Sequence, residues 1–526
     1  MSPDPRDEKF VLVADLGTGG PKVGFVSLLG RVAFENHYVV ETRFGPDGLA
    51  SQDAEEWFRL IVDAAKGALA DGVVRPEQVV AVSFTAQWAS TVPVFADGTP
   101  NGPVIMWMDS RGGREVRKAV GGPVSGYAPR AIAEFIRRSG GAPSLSGADP
   151  VGHRLWLHHH EPERWAATRW LLEPVDYLSM RFTGKAAASA PSMMGSWMID
   201  TRDPANYRYD ETLLAMTGGH GGKFAPLQRF GTIVGPVQHE VAELIGISND
   251  AVVVTGSPDI HTAALGSGAI GRHEAHMAVS TTGWISAPVA KKKTDLFHQV
   301  ATIPGLDDEN YLIVNNHETA GACFAWLQRI LGDRHSYEDL NALAAGSPAG
   351  ANGVIFTPWL KGERSPIADD FARAGFANLS LGNDTADLVR AVMEGVAINN
   401  RWLHDAVEKF AGERLDHIRF IGGGAQSDLW CQIHADVMDR TIEQVADPLY
   451  CGLRGAAFSA GIALGEVRRD ELRDLVTIAG TYRPNPANRA LYERHYKEFK
   501  GLYKRQKSFF KRMNRKGTAW TVSGRW

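Results

Sequence analysis

Cysteine is scarce in this chain. Only Cys323, Cys431 and Cys451 occur in 526 residues, an odd number with no C-x-x-C pair. That argues against a disulfide framework and fits free thiols in a reducing compartment. No apolar run approaches the ~20 residues that span a bilayer. The opening MSPDPRDEKF is polar and charged where a secretory signal would carry an apolar core. The expectation is therefore a cytoplasmic protein. An excess of either charge is also missing: 56 Lys and Arg stand against 60 Asp and Glu, for a net −4. Nothing in that balance points to nucleic acid or a membrane surface as a partner. What is present is an ordinary globular composition, 44% hydrophobic and 22% charged. A chain of this length buries sizeable cores unaided, in two or more domains.

The order of elements repeats. Phe10–Ala14, Val23–Leu29 and Arg31–Thr42 read as strands, the first two joined by a glycine-rich turn. A helix follows, with Asp53 and Glu56 at capping-box spacing and Ala54, Trp57, Phe58, Ile61, Ala65, Ala68 and Leu69 on one face. Val79–Phe84 is the next strand. The second half shows the same grammar: His276–Ser280, a small turn, Trp284–Pro288, Tyr311–Asn315, a helix over Ala320–Leu331, and later strands Val354–Thr357, Ile418–Ile421 and Ile442–Val445. Two related α/β halves, meeting near residue 268, are predicted. A cleft between such halves is a natural ligand site. Residues 112–207 read as an elaboration carrying helices.

Four segments carry chemistry. Asp15-x-Gly17-Thr18-x-x-x-Lys22 closes the first strand. Its glycine lets a phosphate approach the backbone, while Thr18 donates a hydroxyl and Lys22 a positive charge. Asp15 repels an anion, so its useful role there is to hold Mg²⁺ through water. Ser280-Thr281-Thr282-Gly283 occupies the matching turn of the second half and suits a second phosphate contact. Gly422-Gly423-Gly424-Ala425 lies between a strand and a helix, where missing side chains leave room for a base or ribose. Asp259 follows the strand Val252–Val254 and is a candidate proton acceptor for an attacking hydroxyl. Each has a plainer alternative: polar hairpins for the first two, a tight turn for the third, a helix N-cap for Asp259.

Together these segments resemble the FGGY family of carbohydrate kinases. Further stretches carry the likeness: Trp107-x-Asp109-x-Arg111; Pro150-x-x-His153-Arg154-Leu155-Trp156-Leu157; Pro358-x-Leu360-x-Gly362-Glu363-Arg364-x-Pro366; Arg390-Ala391-x-x-Glu394-Gly395; and Ile421-Gly422-Gly423-Gly424-Ala425-x-Ser427-x-x-Trp430-x-Gln432. The resemblance runs from about residue 10 to 465. It implies an actin-like ATPase fold of two ribonuclease-H-like domains flanking a cleft, a sugar-binding one over 1–268 and a nucleotide-binding one over 269–526. It implies transfer of the ATP γ-phosphate to a sugar or polyol hydroxyl. Asp259 then falls on the catalytic base and Asp15 on the Mg²⁺-associated acid. Gly17, Thr18 and Lys22 fall in the first phosphate loop and Thr281, Thr282 and Gly283 in the second. Gly422, Gly423, Gly424 and Ala425 fall in the adenosine motif, and Gln87, Trp88, Trp107 and Asp109 in the sugar site with Asp259. The implied partners are a small sugar or polyol and MgATP, with a homodimer left open. A non-catalytic sugar sensor and an actin-like ATPase are the competing readings. Intact Asp15 and Asp259 argue against the first, and the run Gln87 to Arg111 against the second.

The nearest subfamily is that of the xylulose kinases, and the sequence departs from it at Ala89, Met108, His153 and Ile260, where that group carries polar residues. Three of these changes make the sugar pocket more apolar. A pocket that leaves hydroxyls unpaired rejects them strongly, so the expected acceptor is a deoxy sugar, a branched sugar or a shorter polyol rather than xylulose. Trp88 is expected to stack on a sugar's C–H face. Three further signals read as structural. Successive His158, His159 and His160 point apart on a helix, His273-Glu274-x-His276 lacks a zinc-hydrolase pair, and Lys291–Lys293 reads as a solvated loop. Lys497–Lys516 carries nine Lys or Arg and one acid, and reads as a terminal helix packing its apolar face on the protein. Gly517–Trp526 is expected to be mobile.

Overall fold

The computed structural model describes residues 8–514; the expectation for Gly517–Trp526 lies outside them. Glycine and small polar residues punctuate short apolar runs, and each run becomes a strand. The first half contains β1 (Phe10–Gly17), β2 (Gly20–Ser27), β3 (Val32–His37), α1 (Ala54–Ala70), β4 (Val79–Ala86), α2 (Pro174–Thr183), β5 (Ile233–Pro236), β6 (Val252–Pro258) and α3 (Asp259–Ser267). The strands form one sheet in the order β5-β6-β4-β1-β2-β3. β1 and β6 both run parallel to β4, while β1, β2 and β3 are joined antiparallel. Strand periodicity divides β1 between two cores. Phe10, Leu12, Ala14 and Leu16 pack with Trp57 and Ile61 of α1 and Leu178 of α2, whereas Val11 and Val13 pack on the opposite face.

The second half repeats the arrangement with β7 (Ala275–Val279), β8 (Gly283–Ser286), α4 (Thr385–Ala411), β9 (His417–Ile421), α5 (Asp428–Met438), β10 (Thr441–Val445), α6 (Cys451–Ala463), β11 (Ile478–Tyr482) and α7 (Arg489–Met513). Its sheet order is β8-β7-β9-β10-β11. β7, β9 and β10 are parallel, and β8 returns antiparallel. Thus β2-β1-β4-β6-α3 and β8-β7-β9-β10-α6 are equivalent units. Their last helices, α3 and α6, pack on each other. A Cβ on Gly266 would lie 1.9 Å from the Cys451 carbonyl oxygen, and one on Gly455 would lie 1.8 Å from that of Thr262. Only glycine permits this backbone contact. The other face of β1 closes on it, with Val11, Val13, Ala264, Leu453, Ala456 and Phe458 sharing one core.

Four expectations need correction. Tyr311–Val314 does not extend the second sheet as β3 extends the first; it pairs with Pro288–Val289 and Val300–Pro304 in a separate sheet. Ile355–Thr357 likewise pairs only with Gly375–Ala377. Asp53 caps α1 through the Glu55 amide at 3.0 Å, while Glu56 turns toward Arg59 and completes no capping box. Lys292 is not in a solvated loop. Its ammonium donates to the carbonyls of Ile136, Arg137 and Arg138, at 3.3, 2.6 and 2.9 Å, closing the end of a first-half helix. Over its described residues the basic terminal helix packs its apolar face as expected, with Tyr492, Tyr496, Phe499, Tyr503 and Phe510 buried and three of them around Trp359, except that Met513 is exposed. Of the three histidines only His160 turns away, toward Trp156 and Glu115, whereas the His158 and His159 rings meet edge to face at 4.8 Å with His158 also against His220. All three cysteines are buried and free.

Candidate active site

Parallel strands deliver side chains from their carboxyl ends to one edge of a sheet, where open α/β sheets bind ligands. Asp15 of β1 and Ser257 of β6 both align with Thr85 of β4. Two residues beyond Ser257 the chain turns into α3, and Asp259 is its first residue. The N-cap is Pro258, so Asp259 does not occupy the capping position, and its carboxyl faces the Ile260 amide. Asp259 is half-buried. Removal from water, reinforced by the nearby Asp15 carboxylate, pushes its pKa up to about 7. Asp15 is raised by its own desolvation, against the opposing charges of Lys22 and His37. Those three residues form a row across β1, β2 and β3. The Asp15 carboxyl rests on the first turn of α6, where a Cβ on Gly452 would lie 2.8 Å from its Oδ2. Neither Asp15 nor Asp259 forms a salt bridge among the described residues. Two neighbouring carboxyls with no direct ion pair suit a hard, oxygen-preferring ion such as Mg²⁺.

On the first-half side, β4 ends in the loop carrying Gln87 and Trp88. The Gln87 amide donates to the Leu16 carbonyl at 2.8 Å, anchoring this loop to β1. Thr18 Oγ1 donates to Gln87 Oε1 at 2.7 Å and accepts from Trp107 Nε1 at 3.1 Å. The structure therefore joins Thr18, Gln87 and Trp107, and Gln87 Nε2 is left without a partner. Trp88 donates its indole N–H to the Ser192 carbonyl at 2.7 Å. Asp109 differs from the expectation of a direct ligand contact. It is 1% exposed, and its carboxylate accepts from the Ala50 amide at 3.0 Å and from Arg111 Nε at 2.9 Å. Arg111 in turn stacks on Trp156, 3.6 Å from the ring centre. Asp109 thus orients Arg111. His153 is also internal, with Nδ1 3.0 Å from Thr91 Oγ1, and burial pushes its pKa down to about 4.

On the second-half side, the β7–β8 turn is clasped by main chain. His317 N–H donates to the Gly283 carbonyl at 2.7 Å, Ala320 N–H to Thr281 at 3.0 Å and Gly321 N–H to Ser280 at 2.7 Å. Thr281 is exposed and Thr282 half-exposed, and their hydroxyls make no hydrogen bond among the described residues. The glycine turn lies against this one. A Cβ on Gly422 would meet Ser280 Oγ at 2.7 Å, and one on Gly424 would meet Val279 Cγ1 at 2.7 Å. Two of the three glycines are therefore required by the protein's own packing. Gly423 alone faces open space, its nearest neighbour Leu449 at 4.0 Å. Ala425 is buried and its carbonyl accepts from Gln444 Nε2 at 2.8 Å. Residues 448–450 bridge the halves: Lys22 Nζ donates to the Leu449 carbonyl at 3.1 Å, Tyr450 Oη to Glu35 at 2.9 Å and Gly422 N–H to the Pro448 carbonyl at 3.0 Å.

Sequence reasoning missed the clasp at residues 317–321. Behind it, Glu363 accepts from Asn399 Nδ2 at 2.6 Å and lies 3.2 Å from His317 Nδ1. The Gly362-Glu363-Arg364 signature was the available signal, but nothing in it names His317.

Sequence models of the N-terminal and C-terminal domains of the FGGY family of carbohydrate kinases match residues 10–266 and 279–464. The chain belongs to this family. A xylulose kinase of Staphylococcus epidermidis is 28% identical over 505 residues, 95% of this chain and 97% of that protein. Among solved structures, a gluconate kinase from Lactobacillus acidophilus superposes with a TM-score of 0.83 at 23% identity, covering 96% of this kinase and all of that chain. A xylulose kinase from Rhodospirillum rubrum does so with a TM-score of 0.79 at 26% identity, over 95% and 100%. The fold is the two-part actin-like ATPase fold of sugar kinases, and the reaction class is ATP-dependent phosphorylation of a sugar hydroxyl. Among the described residues, no helix is long and apolar enough to cross a membrane.

Proposed function

We propose that the kinase binds its acceptor between the Gln87–Trp88 loop, Trp107 and Asp259, and MgATP along the β7–β8 turn and the glycine turn. Residues 1–268 carry the acceptor side and 269–526 the nucleotide side. One observation carries this reading: Asp259, outside the capping position and with a raised pKa, lies close to Asp15, whose carboxyl rests on the first turn of α6.

In this mechanism the Asp259 carboxylate accepts the proton of the attacking hydroxyl. The acceptor oxygen forms its bond to the γ-phosphorus as the bond from that phosphorus to the β,γ-bridging oxygen breaks, and ADP leaves with that electron pair. Asp15 is the residue to hold Mg²⁺, which when bound neutralises phosphate charge. Lys22 can swing from the Leu449 carbonyl to a phosphate oxygen, and Thr281 and Thr282 offer free hydroxyls. Closure of the halves would exclude water and align the reacting atoms.

The acceptor is a pentulose or a related sugar or polyol. Ala89, Met108 and Ile260 replace the polar residues of the xylulose kinases, which favours a deoxy, branched or shorter acceptor. Gln87 Nε2 is the one unengaged donor on the loop itself. Initial rates with xylulose, deoxy sugars, branched sugars and short polyols test this point. Xylulose as best substrate by a wide margin would overturn it.

A further inference from the structure

Behind the Gln87–Ser90 loop lies a pair of carboxyls that phosphoryl transfer does not use. Glu173 precedes α2, and Asp176 lies in the first turn of that helix. They are 3% and 2% exposed. Glu173 faces the main-chain amides of Ala89 and Ser90, yet neither of its oxygens completes a well-formed hydrogen bond. Gly195 packs over the same spot. A Cβ there would lie 3.0 Å from Trp88 Nε1, 3.2 Å from Glu173 Oε1 and 3.3 Å from Ala89 Cα. Asp176 accepts from Ser192 Oγ at 2.7 Å, and the Ser192 carbonyl is the group that holds the Trp88 indole. Ser90 extends the chain outward, its Oγ accepting from the Trp107 amide at 3.0 Å. Ala89 completes the loop with φ of +64°, a conformation that non-glycine residues adopt only when their surroundings impose it. The two acids thus stand behind Trp88, Ala89 and Ser90 at once.

We propose that Glu173 is a positioning residue for the acceptor pocket: its buried carboxyl, backed by Asp176, seats the 87–90 loop so that Gln87 and Trp88 meet the acceptor. This rests on the acceptor reading given above for those two residues. Two carboxyls in one buried site do not both ionise readily. Burial raises both acids, the Asp176 charge adds to the rise in Glu173, and Asp176 reaches about 8. The ionised form of Glu173 is the costly one, so the loop loosens toward alkaline pH and not toward acid. The titratable groups facing this site are Asp176 itself and, beyond it, the Tyr209 phenol. The 87–90 and 190–196 segments carry none.

The test compares Glu173→Gln and Glu173→Ala. The alanine variant should raise the acceptor KM roughly tenfold, because the loop loses the carboxyl that fills the space behind it and faces the Ala89 and Ser90 amides, with kcat and the ATP KM nearly unchanged. The glutamine variant keeps the shape without the ionisation. It should stay near wild type at neutral pH and remain flat toward alkaline pH, where the wild-type acceptor KM climbs. Hydrogen exchange of amides 87–90, compared between variants at each pH, reads the same loop without turnover: faster in Glu173→Ala, protected in Glu173→Gln. An unchanged acceptor KM in the alanine variant, an equal rise in both KM values, or identical pH profiles for wild type and Glu173→Gln would overturn the proposal. If the alanine variant fails to fold, the pH profile and exchange of Glu173→Gln decide. If no acceptor is phosphorylated by any form, the kinase assignment fails, and exchange alone decides whether Glu173 seats the loop.

Discussion

The β1–β2 and β7–β8 turns fill the same slot in two sheets of the same topology, yet they are held differently. The first is tied by side chains as well as main chain: Thr18 bonds Gln87 and Trp107, Gln52 Nε2 donates to the Thr18 carbonyl at 2.7 Å, and Val40 N–H donates to the Gly19 carbonyl at 2.8 Å. The second is tied by main chain, through the amides of His317, Ala320 and Gly321, leaving its threonine hydroxyls unengaged. A turn whose side chains are committed to a binding wall senses that wall. A turn held by its backbone keeps its side chains for a ligand. The duplicated unit thus supplies two similar hairpins that are held by different surroundings.

The largest effect expected lies between the turns. Asp259→Asn should lower kcat by about 10³-fold while ATP binding, followed by calorimetry, is retained. Equal loss of both would make this carboxyl structural. Next, Gly424→Ala should cost about 1–3 kcal/mol in chemical denaturation because its Cβ meets Val279. Gly423→Ala should cost less than about 0.5 kcal/mol, and similar losses would erase the distinction between the two glycines. The turns themselves are compared by one substitution made in each. Thr18→Val should raise the acceptor KM, and Thr282→Val the ATP KM, each by roughly tenfold, the worth of one or two hydrogen bonds. The same parameter moving in both variants would break the comparison. The smallest effect belongs to a contact between the halves away from the turns: Lys292→Met should lower stability by about 1 kcal/mol with kcat unchanged.

Much of this arrangement was legible before any coordinates. Asp15, Thr18, Lys22, Thr282, Gly423 and Asp259 sit at strand ends, and the strand order alone brings such ends together. Capping and burial were harder to read. Asp259 occupies a position where an aspartate commonly caps, and only the backbone at Pro258 shows that it does not. Asp109 lies in a motif with Arg111, and sequence cannot tell a carboxylate that meets ligand from one that orients the arginine. Lys292 lies in a run of three lysines that reads as solvent-facing, because the helix end that it closes is more than 150 residues away in sequence. The triple glycine was read as room for a ligand, whereas Gly422 and Gly424 are filled by Ser280 and Val279. Glu173, between Leu172 and Pro174, has nothing in its neighbours to mark burial. For Lys292, the glycine turn and Glu173 the missing information was a long-range contact that no local pattern encodes.

The central claim is that a sugar hydroxyl is phosphorylated at Asp259 between these two turns. It is tested most directly by ADP release from MgATP across a panel of ketoses, aldoses, deoxy sugars and polyols, with wild type and Asp259→Asn side by side. The account predicts strong release with one class of acceptor, little without acceptor, and near-complete loss in the variant. Rapid ADP release without any acceptor, or acceptor-dependent release that survives Asp259→Asn, would contradict it.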